Sequence, residues 1–222
     1  MIPFKESLKT NDIIGLVIPD MEYDEMLVKA AGLLCENYDK ILYISINKPY
    51  EKLAGKFKNN KINLNKFYFI DCITRTARDA EQKENCCFVS SPRALDEIQT
   101  SVLDILKKQR IDAVLIDSPS ALTTYYEHAD VLRFMHLLMT KLIVLDCKGI
   151  FPFQKESAGV LRRSVEMFVD DVVYLSGGSG SSNANYVNPG LMLDEMILCM
   201  RKISLNIQLI LAGIKNNTGI FS

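Results

Sequence analysis

Three places along the chain gather residue types that could do chemistry. The apolar run GLVIP (15–19) leads directly into Asp20, Glu22, Asp24 and Glu25. Such carboxylates could share a divalent cation, which takes oxygen ligands. They could instead open a helix, where each would cap orphan N–H groups and suit the helix dipole by about 0.3–1 kcal/mol. Phosphate is a poor match for them. A phosphate loop needs small residues whose N–H groups converge, a lysine and a hydroxyl, in the pattern G-x-x-x-x-G-K-[ST]. Nothing after Pro19 supplies it. Two like charges about 4 Å apart repel by roughly 4 kcal/mol at an effective dielectric near 20. The economical expectation is that these carboxylates fill the anion position themselves.

The second place is AVLIDSPSAL (113–122), where four apolar residues end in Asp117 and Ser118. An aspartate so placed can help hold magnesium; it can also simply begin a turn before Pro119. The third is Lys48, in the turn after ILYISI (41–46). It could meet an anion at the top of a sheet, although a turn lysine is ordinarily solvated. Arg75, Arg78 and Lys83 lie in a polar stretch that could touch a partner, with a solvated loop as the plainer reading. His128 and His136 have no nearby cysteine to complete a metal set. No metal site is expected. Cys35, Cys72, Cys86, Cys87, Cys147 and Cys199 form no C-x-x-C pair. Several sit in apolar runs, as reduced core thiols do, which implies a cytoplasmic protein.

These residues must be positioned by strands and helices in alternation. Strands are expected at 12–19, 40–46, 66–71, 111–118 and 169–176, with shorter ones at 86–91 and 150–153. Helices are expected at 23–38, 49–59, 91–110, capped by Ser91, and 129–149, ending near Gly149. Strands apolar throughout are buried on both faces, so the sheet is parallel, with helices above and below. Ligand sites in such folds lie at the carboxyl ends of the strands. Asp20, Lys48 and Asp117 all fall there.

Composition bounds the rest. The 222 residues carry 26 basic and 27 acidic groups, net −1. That balance offers no electrostatic footprint for nucleic acid. No apolar run is long enough to span a membrane. At GGSGSSNAN (177–185) the composition changes to that of a flexible tether, either natural or an engineered join. The expected division is a domain over 1–176, a linker over 177–188 and a C-terminal amphipathic helical segment over 189–222. Leu193, Met196, Ile197, Met200 and Ile203 could form an apolar stripe within 189–217 that docks on protein.

Taken in order, ILYISINKPYEKL, KFYFID, SSPRALDEIQTSVLDIL, IDAVLIDSPSAL, VLRFMHLLMTKLI and VDDVVYL resemble the KaiC/RadA-like branch of the RecA superfamily of P-loop ATPases. The resemblance runs over residues 12–175. It implies an α/β fold: a three-layer RecA-like core with a mostly parallel central sheet and helices on both faces. It also implies an archaeal source and assembly through protomer faces. Asp117, with Ser118 beside it, matches the Walker B position. The Walker A lysine and hydroxyl have no counterpart. The glutamate expected after the second strand is replaced by Ile46, Asn47, Lys48 and Pro49.

These departures lead to the expectation of a pseudo-ATPase without cofactor, acting as a scaffold or regulatory subunit through a protein partner or homo-oligomer, with helix 189–217 as one contact. Two alternatives stay open. One is ATP and magnesium held through Asp117, Ser118 and the turn around Lys48. The other is a small-molecule enzyme using Asp71 or Asp117 as a base.

Overall fold

Seven strands form one sheet in the order β4-β3-β2-β5-β6-β1-β7, and every paired neighbour runs parallel. The structure, a computed structural model, describes residues 1–81 and 83–176. The expected linker and the 189–217 segment lie outside the described residues.

In chain order the elements are α1 (Ile2–Thr10), β1 (Ile13–Ile18), α2 (Tyr23–Asn37), β2 (Ile41–Ser45) and α3 (Tyr50–Asn59). Then follow β3 (Phe67–Asp71), the short α4 (Thr74–Ala77), β4 (Cys86–Phe88), α5 (Leu95–Lys108) and β5 (Ala113–Asp117). The described fold closes with α6 (His128–Val144), β6 (Lys148–Gln154), α7 (Gly159–Glu166) and β7 (Asp171–Tyr174).

The architecture is the three-layer α/β core expected from the apolar strands, and the sheet is wholly parallel. Residues alternate between its faces. Ile14, Leu16, Ile18, Tyr43, Phe69 and Leu115 pack in one core with the buried faces of α1, α2 and α3. On the opposite face α5 crosses β3, α6 crosses β6, and α7 packs beside α6. Aromatic rings tighten the first core: Phe57 meets the edge of Tyr43 at 5.7 Å and of Phe67 at 5.0 Å, near-perpendicular arrangements that suit the ring quadrupoles.

Gly149 shows why β6 needs a glycine. A Cβ there would lie 2.8 Å from Phe151 Cε2 and 2.9 Å from Ile13 Cδ1, with Leu142 Cδ1 of α6 at 3.0 Å. The strand passes beneath α6 too closely for any side chain.

Several expected boundaries are corrected. The helix expected over 91–110 begins at Leu95, and no side chain caps it. Ser91 Oγ instead accepts from Arg93 N, within the preceding turn. The helix expected to run to Gly149 stops at Val144, because Asp146 takes a positive φ of 52° and the chain enters β6 at Lys148. Helices α1 and α7 lie where no helix was expected. Both are short, and neither has enough turns for its spacing to stand out from the flanking polar residues.

Candidate functional site

The strand register lines up the chemistry. Asp71 on β3 pairs with Ser45 on β2, and Ser45 pairs with Asp117 on β5. The three therefore stand in one row at the carboxyl ends of adjacent strands, on the face covered by α2 and α3. Between β2 and β5 the topology diverges: the chain leaving β2 moves toward β3, and that leaving β5 moves toward β6. Such a switch point is where doubly wound sheets open a crevice.

Asp117 is fully buried. Its Oδ2 accepts from Tyr43 Oη at 2.9 Å, and its Oδ1 from Tyr23 Oη at 3.2 Å. Lys48 Nζ stands 3.6 Å from Oδ2. Burial pushes the carboxyl above its ordinary value, and the opposing pull of Lys48 and the two phenols does not cancel that effect. Burial, and then the charge of Asp117, push both Tyr23 and Tyr43 well above the usual phenol value. Both tyrosines therefore stay protonated and donate. The peptide bond from Asp117 to Ser118 is cis.

Lys48 is the keystone of the row. Ser45 Oγ donates to Lys48 O at 2.7 Å and accepts from Lys48 N at 3.2 Å, which folds the turn back over β2. The ammonium then reaches Asp24 Oδ1 at 2.5 Å. Lys56 of α3 meets the other oxygen of Asp24 at 2.6 Å. Burial tends to raise the Asp24 carboxyl, but hydrogen bonds from Lys48 and Lys56 outweigh it and hold the group below its ordinary value. Lys48, read from sequence as an ordinary solvated turn lysine, is thus held between two carboxylates.

The expectation for the acidic corner is also corrected. No side chain caps α2, nor the 3-10 turn Asp20–Glu22 before it. The carboxylates bond elsewhere because α3 and the turn after β6 bring partners within reach. Asp20 N donates to Glu156 Oε2 at 2.8 Å, Glu156 N donates to Asp20 Oδ1 at 3.1 Å, and Ser157 Oγ donates to Asp20 Oδ2. Burial acts to raise the Asp20 carboxyl, but these bonds together outweigh it and hold the group below its ordinary value. Glu25 pairs with Lys29 one turn on, at 2.6 Å. Glu22 sits in the 3-10 turn between them. Among the described residues no group of three or more His, Cys, Asp or Glu could hold a metal ion.

Asp71 is committed to the backbone around it. It is fully buried and accepts from Tyr50 N, Ile73 N, Thr74 N and Thr74 Oγ1 at 2.5–2.8 Å. Those bonds satisfy the first amides of α3 and α4, a structural task.

A cleft of about 610 Å3 opens beside this row, between the turns after β5 and β6. Asn47, Ser118, Ser120, Glu127, His128, Gln154 and Ser157 are among its polar lining, which includes no lysine or arginine among the described residues. Ser118 Oγ lies 3.0 Å from Ser120 Oγ, which donates to Gln154 Oε1 at 3.5 Å. Ser118 is therefore turned toward the cleft while Asp117 is turned into the core.

The remaining expected groups are scattered. Arg78 pairs with Glu51 at the surface, and Lys83 stands 5.8 Å over the Tyr50 ring. His136 packs its ring against Phe168 on an exposed part of α6. His128 hydrogen-bonds Ser164 across to α7. Cys72, Cys86 and Cys147 are buried free thiols. No helix among the described residues is long and apolar enough to cross a membrane.

Sequence reading missed Tyr23, Tyr43, Lys56 and the Glu156–Ser157 turn. Only Tyr43 left a trace: a polar tip inside an otherwise apolar strand, two residues before Ser45 and so on the same face.

Among curated proteins none matches the chain. The model of the KaiC ATPase family matches residues 33–220. The match begins within α2, so β1 and the acidic corner precede it. It takes in the β2–β5 row, the carboxyl-end cleft and most of the sequence, and the chain therefore belongs to the KaiC ATPase family.

Proposed function

We propose that this chain is a pseudo-ATPase of its family, a KaiC-like domain that acts through protein contacts as a scaffold or regulatory subunit. The observation that carries this reading is the occupancy of the phosphate corner by the protein's own charges. Lys48 is the cation nearest the Walker B aspartate, and it is engaged by Asp24 and Asp117. Asp117 is engaged by two phenols and is sealed from solvent. Phosphoryl transfer depends almost entirely on positioning and charge stabilisation. A triphosphate at this corner would face Asp20, Glu22 and Asp24 with Lys48 already engaged by two carboxylates, and the adjoining cleft adds a further carboxylate, Glu127, to its neutral dipoles.

Binding of ATP to the corner would require Lys48 to leave both carboxylates and Asp117 to turn out of the core. Titration calorimetry with ATP, with and without magnesium, tests the reading. It predicts no heat beyond dilution at micromolar concentrations and no phosphate release. Magnesium-dependent micromolar binding would establish the alternative, a working nucleotide site with an atypical phosphate loop.

A further inference from the structure

The cleft between the turns after β5 and β6 has no part in the row of Asp71, Ser45 and Asp117. At about 610 Å3 it is large enough for a small molecule. Charge at its walls runs both ways. Glu127 is exposed, and its carboxylate has no partner among the described residues. The first turns of α6 and α7 also line the cleft, through His128, Val160 and Leu161, and no side chain caps either helix. The N–H groups of His128, Gly159 and Val160 therefore find no acceptor among the described residues. These positive helix ends oppose a cation, whereas Glu127 opposes an anion. Lys155 and Arg162 neighbour lining residues in the chain but do not line the cleft, and Arg162 is bonded to Glu166. A neutral occupant meets neither penalty.

The lining side chains specify what groups that occupant carries. Ser118 Oγ, Ser120 Oγ and Gln154 Oε1 form a hydrogen-bonded chain, which leaves the Gln154 amide nitrogen to donate. Asn47 and Thr124 are exposed, and each can both donate and accept. Burial pulls His128 below its ordinary value, so its ring is neutral at neutral pH and does the same. Donors and acceptors so interleaved match ligand groups that do both at one atom, which hydroxyls do. A peptide backbone also offers both, but it is ordinarily received along a free sheet edge. Here β5 and β6, whose turns frame the cleft, are interior strands. Val160, 56% exposed, supplies apolar surface for the C–H face of a sugar-like ring.

We infer that this cleft binds a neutral polyhydroxylated small molecule of the size of a mono- or disaccharide. The inference goes beyond the proposed function and is independent of whether nucleotide binds at the β1 corner. The test uses the full chain and saturation-transfer NMR, followed by calorimetry, with glucose, galactose, mannose, ribose, inositol and maltose. Fully O-methylated glucose and maltose, which keep the ring and lose every hydroxyl donor, serve as matched controls. Citrate and spermidine represent charged ligands, and a capped tetra-alanine represents a peptide.

The expected result is saturable, millimolar or tighter binding of at least one of these polyols and none of the O-methylated sugars. Binding should weaken about tenfold in Glu127→Ala, which removes an acceptor, and in Thr124→Trp, which fills the mouth. Both residues are exposed, so unchanged melting midpoints separate lost binding from lost folding. Failure of every polyol to bind overturns the inference. So does polyol binding that survives both substitutions, since the site would then lie elsewhere. Tighter binding of citrate, spermidine or the peptide, lost in Thr124→Trp, overturns the assignment of a neutral polyol. ATP calorimetry reads the β1 corner, so the two tests fail independently.

Discussion

Lys48 Nζ stands 3.6 Å from Asp117 Oδ2 while it bonds Asp24 at 2.5 Å, so one ammonium joins the turn after β2 to the last residue of β5 and the first turn of α2. A buried carboxylate is costly unless hydrogen bonds or opposite charge surround it. Asp117 has both, and the two phenols and Lys48 act on it as one cluster. The consequences can be measured.

Removal of a donor from this cluster leaves a buried acceptor short of a partner. Tyr43→Phe is expected to lower unfolding free energy by about 1–3 kcal/mol. Tyr23→Phe should cost less, since its bond to Asp117 is longer, at 3.2 Å. Lys48→Met should cost about 1–3 kcal/mol, toward the lower end because the lysine is 22% exposed. Urea unfolding of the three variants gives the order directly. A neutral Lys48→Met would show that Asp117 does not need the ammonium.

The two carboxyl groups that face Lys48 respond oppositely to pH. Asp24 is held below its ordinary value of 3.8, so its contribution is present above that pH and disappears as pH falls through the lower folded value. Asp117 is raised above 3.8, so its contribution is full below 3.8 and is lost as pH rises through the higher folded value. The stability gap between wild type and Asp24→Asn should therefore shrink on acidification. Asp117→Asn should gain relative to wild type as pH rises from 3.8 toward neutrality. Chemical unfolding across that range checks both signs.

Two glycines make a matched pair. Gly149→Ala forces a methyl within 3.0 Å of three side chains and should destabilise by about 1–3 kcal/mol. Gly55→Ala, on α3 with nothing within 4 Å, should stabilise by about 0.4–1 kcal/mol. Thermal midpoints moving in opposite directions would confirm the packing beneath α6.

Thiol reactivity should follow burial. Burial pushes Cys86 and Cys147 up to about 12 and Cys72 higher still. Cys35 and Cys87 are only partly buried. Iodoacetamide at pH 8 followed by peptide mapping should label Cys35 and Cys87 well before Cys72, Cys86 and Cys147. Comparable labelling of Cys72 would mean that the β3 end opens readily.

What the sequence determined by itself is the layered fold. The mostly apolar runs within 12–19, 40–46 and 111–118 read as strands buried on both faces, and the alternation with helical spacing makes them parallel. The sequence also shows that the pattern G-x-x-x-x-G-K-[ST] does not follow Pro19, because that pattern is made of residues adjacent in the chain. The tertiary structure alone decided what the carboxylates do. Asp20 was expected to cap a helix and is tied to Ser157; Asp24 was expected to do the same and is clamped by Lys48 and Lys56. Local sequence offered a helix N-terminus as partner, whereas the fold placed cations and hydroxyls from distant segments nearer. Tyr23 and Asp117 are 94 positions apart. No spacing rule joins such residues; only strand register, which sets Ser45 beside Asp117, and the packing of α2 over that face bring them together.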